Sequence, residues 1–196
     1  MPLRIGVFGG TFDPPHIGHL VTAVNVRAAL SLDRVLFVVA NIPWQKAGRR
    51  PISPAADRLA LVTEAVRGLD AIEPCAIEIE RGGESVTADT LETLCARDPG
   101  VDLHVILGAD AAAGLPTWRR PEVVRSLATI VAVSRPGTPT CPPLSGWRWM
   151  EVEVPRLDVS SSGLRERVAN GQPLDVLVPP AVIDRIRELR LYGLAA

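Results

Sequence analysis

The chain is nearly without lysine: among 196 residues Lys46 stands alone, and every other basic residue is arginine. A bias of the coding sequence toward arginine accounts for that, and it makes the surviving ammonium conspicuous. A compact ammonium meets a phosphate as a point charge where a planar guanidinium offers a fork. Cysteine is scarce too. Cys75, Cys95 and Cys141 are odd in number, far apart and outside any C-x-x-C pattern, which excludes a disulfide framework and a thiolate zinc site. No block of like charge interrupts a formal net charge of −1, so neither a nucleic-acid tail nor a basic membrane surface is expected. No apolar run approaches the roughly 18 residues needed to span a bilayer. No basic stretch followed by an apolar stretch suggests an export signal, and the expectation is a cytoplasmic chain with inert thiols.

What is present is apolar content of 47%, enough for one sizeable core and one domain over residues 1–196. Nearly continuous runs of Val, Ile and Leu at Leu3–Phe8, Arg34–Ala40, Leu103–Leu107 and Thr129–Val133 read as strands buried on both faces. Cys75–Ile79 alternates and is expected nearer an edge. Helical patterns lie between them: Leu20–Leu30, a stretch opened by Ser53 as cap and Pro54 at the first position, and Ala88–Arg97 capped by Ser85 or Thr87. Alternating strand and helix predicts an α/β fold, a doubly wound, Rossmann-like parallel sheet. Residues 136–149, rich in Pro, Gly and Thr, read as a long surface loop, and the stretch from about 160 to 192 as a C-terminal helical part.

Ligands bind such sheets beyond the carboxyl ends of the strands. Four segments are expected to reach one crevice there: Gly9–Leu20, Asn41–Lys46, Gly108–Asp110 and Ser134–Gly137. The first is the most informative. Gly9-Gly10-Thr11-Phe12 joins a strand to a helix whose first turn holds His16, Gly18 and His19. Helix starts attract anions, and imidazoles there add donors, so this reads as a triphosphate cradle. Two histidines three apart share a helix face and could hold a metal, but a third ligand at useful spacing is missing, and His104 sits inside an apolar strand as a core histidine.

Other candidates carry two readings each. Asp110 can accept from ribose hydroxyls or cap the helix that follows. Ser160, Ser161 and Ser162 open a late helix, as a second anion site or as ordinary caps, with Arg165 about one turn inward. Trp118 can stack on a flat heteroaromatic ring or pack under its loop, and Trp44 is similar. Trp147 and Trp149 are assigned to packing, and Lys46 lies on phosphate or on a solvated loop.

Taken in order, His-Ile-Gly-His at 16–19, Gly-Ala-Asp at 108–110, Leu-Pro-x-Trp at 115–118, Ser-Arg-Pro-Gly at 134–137 and Val-Ser-Ser-Ser-x-x-Arg at 159–165 resemble the bacterial nicotinate mononucleotide adenylyltransferases of the nucleotidylyltransferase superfamily. The resemblance runs from residue 3 to Tyr192 and includes the closing Leu-Val-Pro-Pro-x-Val-Ile-x-x-Ile. It implies adenylyl transfer from ATP to nicotinate mononucleotide, giving deamido-NAD and pyrophosphate with Mg²⁺ carried mainly on the ATP phosphates. It assigns His16 and His19 to the triphosphate, and Arg165 with Ser160, Ser161 and Ser162 to the phosphates. Gly9, Gly10, Thr11, Phe12, Gly18 and Gly108 would line the ATP site, with Asp110 on its ribose. Trp118 would stack on the pyridine, while Asn41, Trp44, Lys46, Thr87 and Arg135 would border the mononucleotide. No residue is assigned as a metal ligand, and room is left for a homo-oligomer. Departures from the family pattern lie mainly on the mononucleotide side: Val86-Thr87 for Tyr-Thr, and Pro43-Trp44-Gln45-Lys46 for Pro-Pro-His-Lys. Ser162 for threonine keeps its hydroxyl. Rival readings are transfer to nicotinamide mononucleotide or phosphopantetheine, and a nucleotide-binding regulator without catalysis.

Overall fold

The structure, a computed structural model, describes residues 2–43, 51–137 and 144–193. Six strands form one sheet: β1 (Arg4–Gly10), β2 (Arg34–Val39), β3 (Ile72–Cys75), β4 (Asp102–Gly108), β5 (Ala128–Ser134) and β6 (Trp149–Glu153). Their order is β3-β2-β1-β4-β5-β6, and the pairings β1–β4, β4–β5 and β5–β6 are parallel. The order reverses at β1, as the doubly wound expectation requires. Among the described residues eight helices connect or follow the strands: α1 (Ile17–Leu30), α2 (Ala55–Val66), α3 (Ile77–Arg81), α4 (Thr87–Arg97), α5 (Ala109–Ala113), α6 (Pro121–Leu127), α7 (Ser161–Ala169) and α8 (Pro180–Glu188). No helix among the described residues is long and apolar enough to cross a membrane.

The chain gathers into two compact units, each built from separate segments. The first comprises Met1–Gly9, Thr22–Leu36 and Val86–Arg156. Its centre is β4, where Leu103, Val105, Ile106 and Leu107 are all buried, as are Ile130, Val131 and Ala132 on β5. At the start of these strands the charges are tied together. Arg4 donates from its backbone to Asp33 and from its guanidinium to the carbonyl of Leu30, and Asp102 receives the Nε2 of buried His104 at 3.0 Å. His104 is therefore a core histidine with a partner.

The second unit comprises Gly10–Val21, Phe37–Ser85 and Leu157–Ala196. Its helices α2 and α8 pack together, with Leu61, Val62, Val182, Ile183 and Ile186 buried.

Several expectations need correction. The strand expected over Cys75–Ile79 lies earlier, at Ile72–Cys75, and Ile77–Arg81 is helix α3. A five-residue apolar stretch satisfies either period, and here adjacent Ile77 and Glu78 are both buried, as in a helix and unlike an alternating strand. Pro74 fits the observed strand because β3 is at the sheet edge. Strand β6 arises where packing of Trp149 alone was expected. With only Val152 buried along it, β6 lacks an apolar run and owes its form to pairing with β5. Helix α2 starts at Ala55 with Pro54 in the cap position, one residue later than expected. Neither Thr87 nor Ser85 caps α4: Val86 holds the cap position, and the hydroxyl of Ser85 accepts the N–H of Asn41 instead. Cys75 and Cys95 form no disulfide, and burial pushes the Cys95 thiol pKa up. Cys141 lies outside the described residues.

Gly6 marks the tightest point of β1. A Cβ there would stand 3.0 Å from each of Ile106 Cδ1, Leu32 Cδ1 and Val35 Cγ2. Overpacking of this kind costs about 1–3 kcal/mol, and Gly6→Val is expected to lower the urea midpoint accordingly at unchanged m-value.

Candidate functional site

The turn after β1 is built around one aromatic ring. Phe12 adopts a left-handed backbone (φ 50°) and is buried, its ring 5.1 Å from Phe37 and edge-on to His19 at 5.0 Å. That ring lies on Gly10, where a Cβ would come within 2.7 Å of Phe12 Cζ. The glycine is needed for close approach rather than for its own φ. Gly18 serves similarly: a Cβ there would lie 3.0 Å from Val159 Cγ1 and 3.1 Å from His16 Nδ1. The two glycines let aromatic rings close over the turn.

His16 is buried and His19 half-buried, and their rings lie 3.7 Å apart at 32°. The N–H of His16 donates to His19 Nδ1 at 3.2 Å. A nitrogen that accepts carries a lone pair, so the proton of neutral His19 resides on Nε2, which becomes a fixed donor. The first helical amides behave differently from expectation. The N–H of Ile17 is spent on the carbonyl of Leu177 at 3.0 Å, and that of His16 on His19. These two amides therefore serve the protein itself.

The C-terminal segment holds the same turn. Ser161 donates to the carbonyl of Pro14 at 2.8 Å, and Arg165 donates to the carbonyl of Asp13 at 2.6 Å. Ser160 caps α7 by accepting from the N–H of Gly163, and Ser162 accepts from Arg165. The three serines thus do three separate things: cap, strut and brace. Tyr192 donates to the Asp13 carboxylate at 2.6 Å. Burial, followed by the bond to Asp13, pushes its phenol well above the usual tyrosine range, so it remains a donor at all ordinary pH.

Two contributors escaped the reading of the sequence. Tyr192 is the chain's single tyrosine but lies 179 residues from its partner, with no local pattern to link them. Arg58 did leave a trace. It falls on the apolar face of α2 with Leu61, Val62, Ala65 and Val66, and is 1% exposed. Its guanidinium donates to the carbonyls of Thr11 (2.9 Å), Asn41 (3.1 Å) and Ser53 (2.8 Å). Beside it opens a cavity of about 360 Å³ lined by Asn41–Pro43 and Ile52–Ala55. The side chain of Asn41 donates to the carbonyl of Gly83, which fixes one wall of this cavity.

Among candidates of the first unit, Gly108 holds the cap position of α5, so Asp110 is not the cap. It occupies the first helical turn with an exposed side chain. Trp118 is half-buried and ends a 3-10 turn over Leu115–Thr117. Thr87 begins α4, and Arg135 is exposed just after β5. Trp44 and Lys46 lie outside the described residues. Among the described residues no group of three or more His, Cys, Asp or Glu could hold a metal ion.

The Cytidylyltransferase-like family model matches residues 7–167. A protein of Streptomyces coelicolor named "Probable nicotinate-nucleotide adenylyltransferase" is 45% identical over 185 residues, covering 94% of this chain and 98% of its own. One of the same name from Corynebacterium kroppenstedtii is 44% identical over 193 residues, covering 96% and 90%. The chain belongs to the nicotinate-nucleotide adenylyltransferase family. Its fold is also that of Plasmodium falciparum nicotinic acid mononucleotide adenylyltransferase complexed with NaAD, at a TM-score of 0.79, 17% identity and 98% coverage of both chains.

Removing Arg58 strips three carbonyls of charged donors, in surroundings where an unmet buried acceptor costs about 1–3 kcal/mol. Arg58→Met is expected to lose about 3–5 kcal/mol of stability in chemical denaturation.

Proposed function

We propose that this member of the nicotinate-nucleotide adenylyltransferase family transfers the adenylyl group of ATP to nicotinate mononucleotide, forming deamido-NAD and pyrophosphate, a step of NAD synthesis. The observation that carries the reading in molecular terms is the His16–His19 pair, with His19 locked so that Nε2 carries its proton. The mononucleotide phosphate is already ionised at neutral pH, so the reaction asks for no strong general base and no covalent nucleophile. Its oxygen forms a bond to the α-phosphorus while the bond to pyrophosphate breaks in line. What the protein must supply is alignment and neutralisation of the charge that grows on the leaving group.

The residues suit that task. His16 and His19 are proposed to hold the triphosphate, with Gly9, Gly10, Thr11, Phe12 and Gly18 shaping the turn around it. Ser160, Ser161, Ser162 and Arg165 are proposed to support the phosphates from α7, and the bonds of Ser161 to Pro14 and of Arg165 to Asp13 keep that helix start against the turn. The exposed carboxylate of Asp110, preceded by Gly108, is proposed for the ATP ribose. Trp118 is proposed to stack on the pyridine ring, with Asn41, Trp44, Lys46, Thr87 and Arg135 on the mononucleotide. The histidines, arginine and serines supply hydrogen-bond donors, which suit phosphate oxygens. Mg²⁺ would be held mainly by the ATP phosphates, where it neutralises charge on the departing pyrophosphate.

His19→Ala removes the oriented donor and is expected to cut turnover by about 10²–10³-fold, measured as pyrophosphate release. Near-normal release would overturn this mechanism. Incubating the protein with ATP, Mg²⁺ and each pyridine mononucleotide, then detecting the dinucleotide by mass, tests the acceptor. A product with nicotinamide mononucleotide alone would reassign the substrate, and ATP binding without any product would mark a regulator.

A further inference from the structure

Asp13 is an acidic residue set inside the turn proposed to bind phosphate, and it is 1% exposed. A buried carboxylate there is unfavourable unless it is hydrogen-bonded, and its placement beside a polyanion adds repulsion. Its Oδ1 accepts the phenol of Tyr192 at 2.6 Å, while its backbone carbonyl accepts Arg165 at 2.6 Å. One residue therefore joins the end of the chain to the arginine proposed for the phosphates.

The backbone around Tyr192 is also unusual. Arg190 (φ 52°) and Tyr192 (φ 59°) both take left-handed conformations that bulky residues rarely adopt. Such strain persists only where the surroundings hold it, and it gathers at sites with a task. The chain's end is bent back so that the phenol reaches Asp13.

We infer that Tyr192 is a positioning residue for ATP: by holding the Asp13 carboxylate it fixes the turn that leads to His16 and His19 and the carbonyl on which Arg165 rests. This rests on the proposed adenylyl transfer for its kinetic readout, but not for its binding readout. Tyr192 need not touch ATP. It acts by keeping three donors in one geometry, which sets affinity for the triphosphate rather than for the pyridine mononucleotide. The raised phenol pKa agrees with this, because a hydroxyl that does not ionise never turns from donor to repelling anion.

Tyr192→Phe removes only the hydroxyl and keeps the ring. A hydrogen bond to a charged group is worth enough that ATP affinity, measured by titration calorimetry, should fall about tenfold to hundredfold. Under turnover, kcat/KM for ATP should fall alike while KM for nicotinate mononucleotide changes less than about twofold, the split that a loss confined to triphosphate positioning gives. Asp13→Asn keeps an acceptor without the charge. It should weaken ATP to a lesser degree than Tyr192→Phe. Combined, the two changes should cost less than their separate effects together.

Wild-type ATP affinity in Tyr192→Phe would overturn the inference. So would equal weakening of both substrates with a matching loss of folded protein, or wild-type ATP affinity in Asp13→Asn. A wild-type protein that binds ATP but makes no dinucleotide would sink the proposed function and leave the affinity comparison intact.

Discussion

The stretch from Asp13 to Ile17 is held at four points by the last forty residues of the same unit. Tyr192 takes the Asp13 carboxylate, Arg165 its carbonyl, Ser161 the carbonyl of Pro14, and the carbonyl of Leu177 the N–H of Ile17. Each bond spans well over a hundred residues, so none can form until the chain has closed on itself. The glycine turn supplies the sharp path, but this grip determines where the path goes. A turn that owed its geometry to local sequence alone would hold with the C-terminal segment absent; this one adds distant hydrogen bonds to its local ones. The proposed phosphate site and the end of the chain are in that sense one structure.

Beneath the turn, Arg58 solves a second problem. Where β1 and β2 end, carbonyls leave the sheet ladder and must find donors, since a buried acceptor left unmet is costly. One guanidinium answers for Thr11, Asn41 and Ser53 together, and its planar fork suits carbonyls that diverge. Charge buried for this purpose is expensive, which explains why the surrounding acceptors are so fully engaged. Through Thr11 the same side chain holds the end of the glycine turn in place.

Much of this was legible in the sequence. Runs buried on both faces announced four of the six strands, because a run of that kind has few other uses. Strand β6 was not legible, since it sits at the edge of the sheet and its residues are mostly exposed. The stretch after Cys75 was misread because five residues cannot distinguish one periodicity from another. At the site, the two histidines and the glycines stood out through close spacing. Tyr192 did not, for its meaning lies wholly in a partner near the other end of the chain. Arg58 is the instructive case: an arginine at i, i+3, i+4, i+7 spacing on an apolar helix face is a signal of a buried cation with a task, and it was readable.

The proposed transfer asks its donors for alignment and charge neutralisation, and the two histidines show how such a donor is prepared. Backbone amides at a helix start are rigid but shared, and here those of His16 and Ile17 are taken by the protein itself. His19 turns that loss into a gain. By accepting from His16 at Nδ1 it fixes its own neutral tautomer with the proton on Nε2, and the two rings lie against each other at 3.7 Å. A donor whose proton and direction are both settled before substrate arrives needs no reorganisation as charge moves onto a leaving phosphate. The His16 amide is engaged and the His19 imidazole is oriented by the same bond, which is the arrangement the proposed transfer draws on.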